Sequence, residues 1–151
     1  MVKERTLRQK AFRWLLISAA FIVIYQPACS YASTGSLISA TYDTGYTKGV
    51  AFNTISWHGA LGTGSSSVGF QFASSNCPNG SPNSNCVGGT WKLTGPDDTT
   101  NTYYFVSPNS TIHLVGAYYD NDRYYRYEVF LNKSGTSTSP KVSNIVVNWS
   151  P

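Results

Sequence analysis

The chain of 151 residues is 41% hydrophobic and 15% aromatic, and it carries 11 basic residues, 7 acidic residues and three cysteines. The first 32 residues hold five of the basic residues and one of the acids, so the rest of the chain carries six charges of each sign. This balance gives no support to binding of nucleic acid or of anionic membranes, which calls for an excess of basic residues. The remaining length suits one domain with a hydrophobic core and is too short for two.

The first predicted element is an export signal. A basic stretch precedes the apolar run WLLISAAFIVIY, residues 14–25, which is shorter than the roughly 20 residues that span a bilayer. Pro27 ends any helix, and Ser30 and Ala32 are the small residues that signal peptidase recognises. We therefore predict a signal peptide over residues 1–32, cleaved after Ala32, and a mature form with no stable transmembrane span. The alternative is an uncleaved N-terminal anchor.

The three cysteines divide between the leader and the mature chain. Cys29 follows an apolar run, as the acylated cysteine of bacterial lipoproteins does, so a lipid anchor at Cys29 is an alternative to free secretion. Cys77 and Cys86 form an even pair in an exported chain, and we predict a disulfide between them. Closing a loop of about ten residues stabilises a fold by roughly 2.5–3 kcal/mol. The spacing in NCPNGSPNSNC fits neither a Cys-x-x-Cys redox motif nor a pair of zinc ligands.

The mature chain, residues 33–151, shows short runs of alternating polarity bounded by turn residues, and no helical periodicity. Strands are predicted over residues 36–42, 50–57, 67–73, 89–94, 101–107, 111–119, 123–131 and 142–149. About eight strands without crossover helices predict one all-β domain, an antiparallel β-sandwich of two sheets. The topology is left open between a jelly roll and another Greek key.

Alternation along each strand also predicts which side chains face the core. The residues predicted to point inward are Ile55, Trp57, Val68, Phe70, Phe72, Trp91, Leu93, Tyr125, Tyr127, Val129 and Leu131. Gly69 and Gln71 are predicted to face outward. In the last strand, Val142 and Ile145 share the core face only if a bulge near Ser143 corrects the register.

Several segments in this order resemble a known type of module. They are GSLISATYDTG, FNTISWHG, VGFQFASS, WKLTGPDDT, RYYRYEVFL and SPKVSNIVVNW, which together extend over residues 35–151. The chain resembles a β-sandwich module of bacterial secreted and surface proteins and is similar to galactose-binding-like, discoidin-like jelly rolls. The resemblance implies an extracytoplasmic domain that binds sugars, lipid head groups or other proteins, and it implies no catalytic residues. The loop with the two cysteines departs from this pattern as an insertion.

The acidic residues favour structural roles over catalysis. Most lie in predicted turns, where carboxylates accept hydrogen bonds from the backbone, and the chain has no Gly-x-Ser-x-Gly motif. Asp97, Asp98, Asp120 and Asp122 offer oxygen ligands for a structural calcium ion that would tie two loops together. We therefore expect no enzyme and no cofactor other than this calcium.

Aromatic residues supply the predicted ligand surface. Neighbours in a strand point to opposite faces, so one member of each tyrosine pair should face solvent. We predict that Tyr104, Tyr119, Tyr124 and Arg126 form a ligand-facing surface, because exposed rings beside hydrogen-bond donors suit sugars and proteins. The alternative is that the tyrosines pack across strands without a ligand.

These observations favour a non-catalytic extracellular or cell-surface binding or adhesion module. Its expected partner is an extracellular glycan or a surface protein. A carbohydrate-binding module in the strict sense is the first alternative, and a structural subunit of a surface assembly is the second.

Overall fold

The computed structural model describes residues 33–80, 91–134 and 138–151. These residues form two antiparallel sheets packed face to face, which confirms the predicted all-β sandwich. The predicted signal peptide, Cys29 and Cys86 lie outside the described residues.

Eight strands lie in the described part of the chain. They are β1 (Ser33–Ile38), β2 (Tyr42–Asp43), β3 (Ala51–Ala60), β4 (Ser67–Ser75), β5 (Tyr104–Phe105), β6 (Thr111–His113), β7 (Tyr124–Lys133) and β8 (Lys141–Ser150). The larger sheet has the order β1-β7-β4-β5, and the smaller sheet has the order β6-β3-β8. Since β2 pairs with the same edge of β7 as β1, the two act as one interrupted edge strand.

Ser39 causes the interruption between β1 and β2. Its hydroxyl accepts a hydrogen bond from the Tyr127 amide at 3.0 Å and donates to the Ala40 carbonyl at 2.8 Å. The Ser39 carbonyl accepts from the Arg126 guanidinium at 3.0 and 3.1 Å. Side chains therefore satisfy backbone groups that a continuous ladder would have paired, and the predicted single strand 36–42 is divided.

The core lies between the sheets and contains the residues that alternation predicted on β3 and β4. Ile55, Trp57, Phe70 and Phe72 are fully buried. The Trp57 indole N–H donates to the Val106 carbonyl at 2.8 Å, so the largest core side chain leaves no donor unpaired.

The bulge predicted in the last strand is present. His58 pairs with Asn144 and Gly59 pairs with Val142, which leaves Ser143 without a direct partner in the ladder. The Ser143 hydroxyl donates to the His58 carbonyl at 3.0 Å. With this correction Val142, Ile145, Val147 and Trp149 face the core as predicted, while Val146 faces solvent.

The outer face of the larger sheet differs from the prediction. Gly69 and Gln71 were expected to face solvent, but both are buried. The loop before β5 lies over this face, and the Gln71 amide donates to the carbonyls of Thr100 and Thr102 at 2.8 and 2.9 Å. A covering loop therefore makes this side of β4 a second buried face.

Two further expectations about elements are wrong. Within residues 91–94 the structure shows only an isolated bridge between Thr94 and Phe72, and the Trp91 ring lies over Arg126 on the outer face instead of in the core. The predicted strand 111–119 ends at His113, and residues 116–118 form a short 3-10 turn.

Candidate functional site

The structure overturns half of the predicted aromatic surface. Tyr104 and Tyr119 are 1% and 2% exposed and belong to the core, so the prediction that they face a ligand is wrong. The Tyr119 hydroxyl lies 2.9 Å from the Thr94 hydroxyl and accepts from the Tyr104 hydroxyl at 3.5 Å. Burial raises the pKa of Tyr119 far above its ordinary value. These hydroxyl groups pair with one another inside the sandwich and do not reach solvent.

Tyr124 and Arg126 do lie on the outer face of β7, where both are half-buried. The Arg126 guanidinium stacks over Trp91 at 5.7 Å from the ring centroid, in addition to its bonds to the Ser39 carbonyl. The Arg123 guanidinium lies 5.1 Å from the Tyr124 ring centroid. These contacts hold the loop over residues 91–105 and the β2 region in place. The four predicted residues therefore form no common surface.

Asp97 and Asp98 stabilise a turn. One Asp97 oxygen accepts from the Thr99 amide at 3.0 Å and from the hydroxyls of Thr99 and Thr102. The Thr102 hydrogen bond is the main reason that the pKa of Asp97 is lowered. Asp98 forms an ion pair with Lys92 at 3.0 Å. These contacts are those of an Asx turn and a surface ion pair.

Asp120 and Asp122 lie beyond the 3-10 turn and do not converge with the first pair. Asp122 accepts from the Ser74 hydroxyl at 2.6 Å, and burial raises its pKa. Asp120 is exposed, and its amide donates to the Gly116 carbonyl. In the described ranges no three acidic, histidine or cysteine side chains lie close enough together to hold a metal ion. The calcium site stays a prediction.

A more promising site is an open groove of about 710 Å³ between the two sheets. Its walls come from residues 35–40 of β1 and the following turn, from Tyr127, Val129 and Leu131 of β7, and from residues 142–145 of β8. None of the described residues that line it carries a charge. The groove is therefore an apolar surface flanked by two strand edges.

Leu37 shows why the groove is open. It lies directly opposite Val129 in the β1–β7 ladder, and paired residues in an antiparallel ladder point to the same face. Val129 is 5% exposed, whereas Leu37 is 67% exposed. Leu37 thus points to the core side of its sheet at a place where no described strand of the smaller sheet covers it.

One end of the groove is aromatic. Tyr42 stacks on Tyr125 with 5.0 Å between ring centroids and lies 6.1 Å from Tyr127. Tyr42 is 42% exposed and lines the groove. This end therefore presents ring surface beside the apolar walls. Outside the groove lining, the exposed Tyr46 contacts Trp149 edge-on at 5.3 Å.

Sequence reasoning missed this groove, although one signal for it was present. Leu37 and Ile38 are adjacent apolar residues in an edge strand, so the two point to opposite faces and one of them must lie outside an ordinary core. In the structure both are exposed, because Ile38 faces outward and Leu37 faces the open groove.

No known protein family, curated protein or solved structure matches this chain. The resemblance to galactose-binding-like modules therefore stays a prediction. Within the described ranges, no helix has the length and apolar character needed to cross a bilayer.

Proposed function

We propose that the chain from residue 33 onward is an exported, non-catalytic binding or adhesion module whose ligand lies in the groove between β1 and β8. The observation that carries this proposal is the exposure of Leu37 on the core-facing side of its sheet. An apolar side chain in such a position gains free energy when a ligand covers it, at roughly 25 cal/mol per Å² of buried surface. Exposed apolar patches of this kind are characteristic of interaction sites.

The size and lining of the groove support a ligand. Its volume of about 710 Å³ lies in the range of known ligand sites, which is about 300–1,000 Å³. Ser36 and Asn144 also line the groove, so its largely apolar walls include atoms of polar residues. A mostly apolar cleft with a few polar groups can bind and orient a partner without catalysing a reaction.

Carbohydrate binding in the strict sense is a second candidate. It is favoured by the exposed ring of Tyr42, which lines one end of the groove and stacks on Tyr125. Flat aromatic rings offer apolar area to the faces of sugar rings at low entropic cost.

Retention on arrays tests the binding function. The labelled protein is applied to an array of immobilised glycans and to an array of immobilised peptides. We expect retention on at least one array, loss of retention in the Leu37→Glu variant, and unchanged retention in Phe105→Glu. Phe105 is the matched control, because it is 60% exposed on β5 at the opposite edge of the larger sheet. Failure of the protein to bind either array, or equal retention of the Leu37 variant, would contradict the proposal.

Intact mass of the secreted form tests the export and the disulfide. We expect a chain that begins at Ser33 and is lighter by two hydrogens, because the thiols of Cys77 and Cys86 have been oxidised. Cys77 is fully buried. A mass that includes Met1, an acyl group or two intact thiols would contradict this part of the proposal.

A further inference from the structure

The groove lies where the smaller sheet has one strand fewer than the larger sheet, so that β1 has no described strand opposite it. Within the described residues the larger sheet has four positions side by side, since β1 and β2 share one edge, and the smaller sheet has three. Phe52 on β3 packs against Phe72 on β4 at 5.1 Å and against Tyr125 on β7 at 5.3 Å. Below the edge strand β1, however, the smaller sheet ends at β8, and Leu37 is left exposed.

The outer edge of β8 offers backbone hydrogen-bonding groups at this position. β8 pairs with β3 along almost its entire length, from Lys141 to Ser150, and no described strand pairs with its other edge. An edge strand presents alternating N–H and C=O groups that an extended chain can bind. A strand added there would place alternate side chains opposite Leu37, and the intervening side chains would face solvent.

Because β1 extends beyond the edge of the smaller sheet, the space beneath it admits only a single extended segment. Neighbouring strands in a sheet lie about 4.8 Å apart, so one strand fills the position beside β8. In a dimer with the two β8 strands paired edge to edge, the β8 of one copy would lie beneath the β1 of the other. The larger sheets of the two copies would then overlap at their β1 edges. An α-helix, about 10 Å across, is also too wide. The geometry therefore favours a flexible peptide over a folded sheet edge.

The lining specifies the chemistry of the segment. The described walls are uncharged, and Leu37, Leu131, Val142 and Ile145 make them largely apolar. Burying an unpaired charge there would be costly, so the buried side chains of the segment are apolar. Residues 35–40 line one wall, and at about 3.3 Å per residue this length holds about six residues of an extended chain.

We propose that the partner of this groove is an extended, uncharged peptide segment with apolar residues at alternate positions, which adds to β8 as the fourth strand of the smaller sheet. The inference rests on the proposed function of the groove as the ligand site and specifies its ligand class. The open edge of β8 favours a peptide over a sugar or an acyl chain, because neither of these supplies a ladder of backbone donors and acceptors.

Defined peptides test this inference. The probe is a capped ten-residue peptide of alternating valine and threonine with a fluorophore on a polar tail, and its binding to the purified protein is measured by fluorescence anisotropy. A peptide of the same composition with its valines in one block is the first control. Two further peptides carry N-methyl groups at the odd or at the even positions. A strand paired through one edge uses alternate N–H groups, so only one of these two should lose binding.

The protein variants locate the site. Gly35 faces the groove opposite Leu131, and no atom lies within 4 Å of the position that a Cβ would take. A Cβ at this position therefore meets no neighbouring atom, and Gly35→Phe directs an aromatic ring into the groove. We expect it to weaken binding of the alternating peptide at least tenfold, with Phe105→Ser as a control that leaves binding unchanged. Hydrogen exchange of the amides of residues 141–150 should slow when the peptide is bound.

The outcomes separate the two proposals. Equal binding of both N-methylated peptides, or of the block peptide, would overturn strand addition, and the groove would remain the ligand site if Gly35→Phe still abolished binding. Glycan binding that depends on Leu37, without any peptide binding, would also overturn strand addition and leave the groove as the ligand site. Concentration-dependent self-association that Gly35→Phe removes would identify a second copy of the chain as the occupant and overturn the partner peptide. Peptide binding that Gly35→Phe leaves unchanged would overturn both proposals.

Discussion

Leu37 and Val129 lie directly opposite each other on β1 and β7 and point to the same face, yet Leu37 is exposed and Val129 is buried. The difference arises on the other sheet, where β8 covers β7 and no described strand covers β1. The same ladder therefore contains a core residue and a residue of the candidate ligand site. This relationship distinguishes the groove from the scattered apolar residues that any protein surface shows.

Threonine substitutions at these two positions should have very different effects on stability. Leu37→Thr should change the free energy of unfolding by no more than about 0.5 kcal/mol, because the side chain is already in water. Val129→Thr should lower it by about 1–3 kcal/mol, because it buries a hydroxyl group without a partner. Urea denaturation of the two variants measures both values. A loss in Leu37→Thr as large as that in Val129→Thr would show that Leu37 is covered.

The hydroxyl of Tyr119 should be important for stability. Tyr119→Phe removes the partner that lies 2.9 Å from the fully buried Thr94 hydroxyl. We expect a loss of about 1–3 kcal/mol in the free energy of unfolding, since a buried polar group is then left unpaired. Tyr118→Phe is the control, because Tyr118 is exposed and should change stability by less than about 0.5 kcal/mol. Equal losses in both variants would contradict the role of the buried hydroxyl pair.

Alternation in the sequence was sufficient to predict the sandwich, the core of β3 and β4 and the bulge at Ser143. It did not predict which tyrosine of each pair is buried. Alternation separates Tyr103 from Tyr104, but β5 is only two residues long, and its phase is set by the pairing of Tyr104 with Phe70 on β4. That pairing is a long-range contact. In a strand this short, the sequence alone therefore does not show which of two neighbouring side chains faces the core.

The groove and the covered face of β4 could not be predicted for a related reason. Whether a side chain is covered depends on how many strands each sheet contains and on where the loops lie, and alternation carries no information about either. Gln71 was expected outside because its position in the strand is outward, and it is buried because Thr100 and Thr102 lie over it. Leu37 shows the opposite case, a core-facing residue that lacks a cover.

Gly49 should tolerate no side chain. It adopts φ of +80°, and a Cβ at this position would lie 2.1 Å from the carbonyl carbon and oxygen of Asn121. We expect Gly49→Ala to lower the free energy of unfolding by at least about 2 kcal/mol, from backbone strain and steric overlap. Gly35→Ala is the matched control and should raise stability by about 0.5–1 kcal/mol, because the site is open and a strand glycine costs conformational entropy. Thermal or urea denaturation of both variants checks the two signs.

Asp122 and Asp43 should affect the pH dependence of stability in opposite directions. Burial raises the pKa of Asp122, whereas the hydrogen bond from Arg123 lowers the pKa of Asp43. A raised pKa in the folded state means that the contribution of Asp122 is most favourable below its unfolded pKa and is lost as the pH rises through its folded pKa. For Asp43 the contribution is present above the unfolded pKa and is lost as the pH falls through the folded pKa.

The stabilities of asparagine variants at two pH values test these opposite contributions. Asp122→Asn keeps an oxygen that can accept from the Ser74 hydroxyl and removes the buried charge, so it should be more stable than the unmodified protein at pH 7. Asp43→Asn removes a surface ion pair with Arg123 at 2.7 Å and should be slightly less stable at pH 7. Both differences should shrink near pH 3, where the carboxyl groups of the unfolded chain are protonated. Urea denaturation at the two pH values gives the comparison, and a destabilised Asp122→Asn at pH 7 would show that the Asp122 charge contributes a favourable interaction that burial does not outweigh.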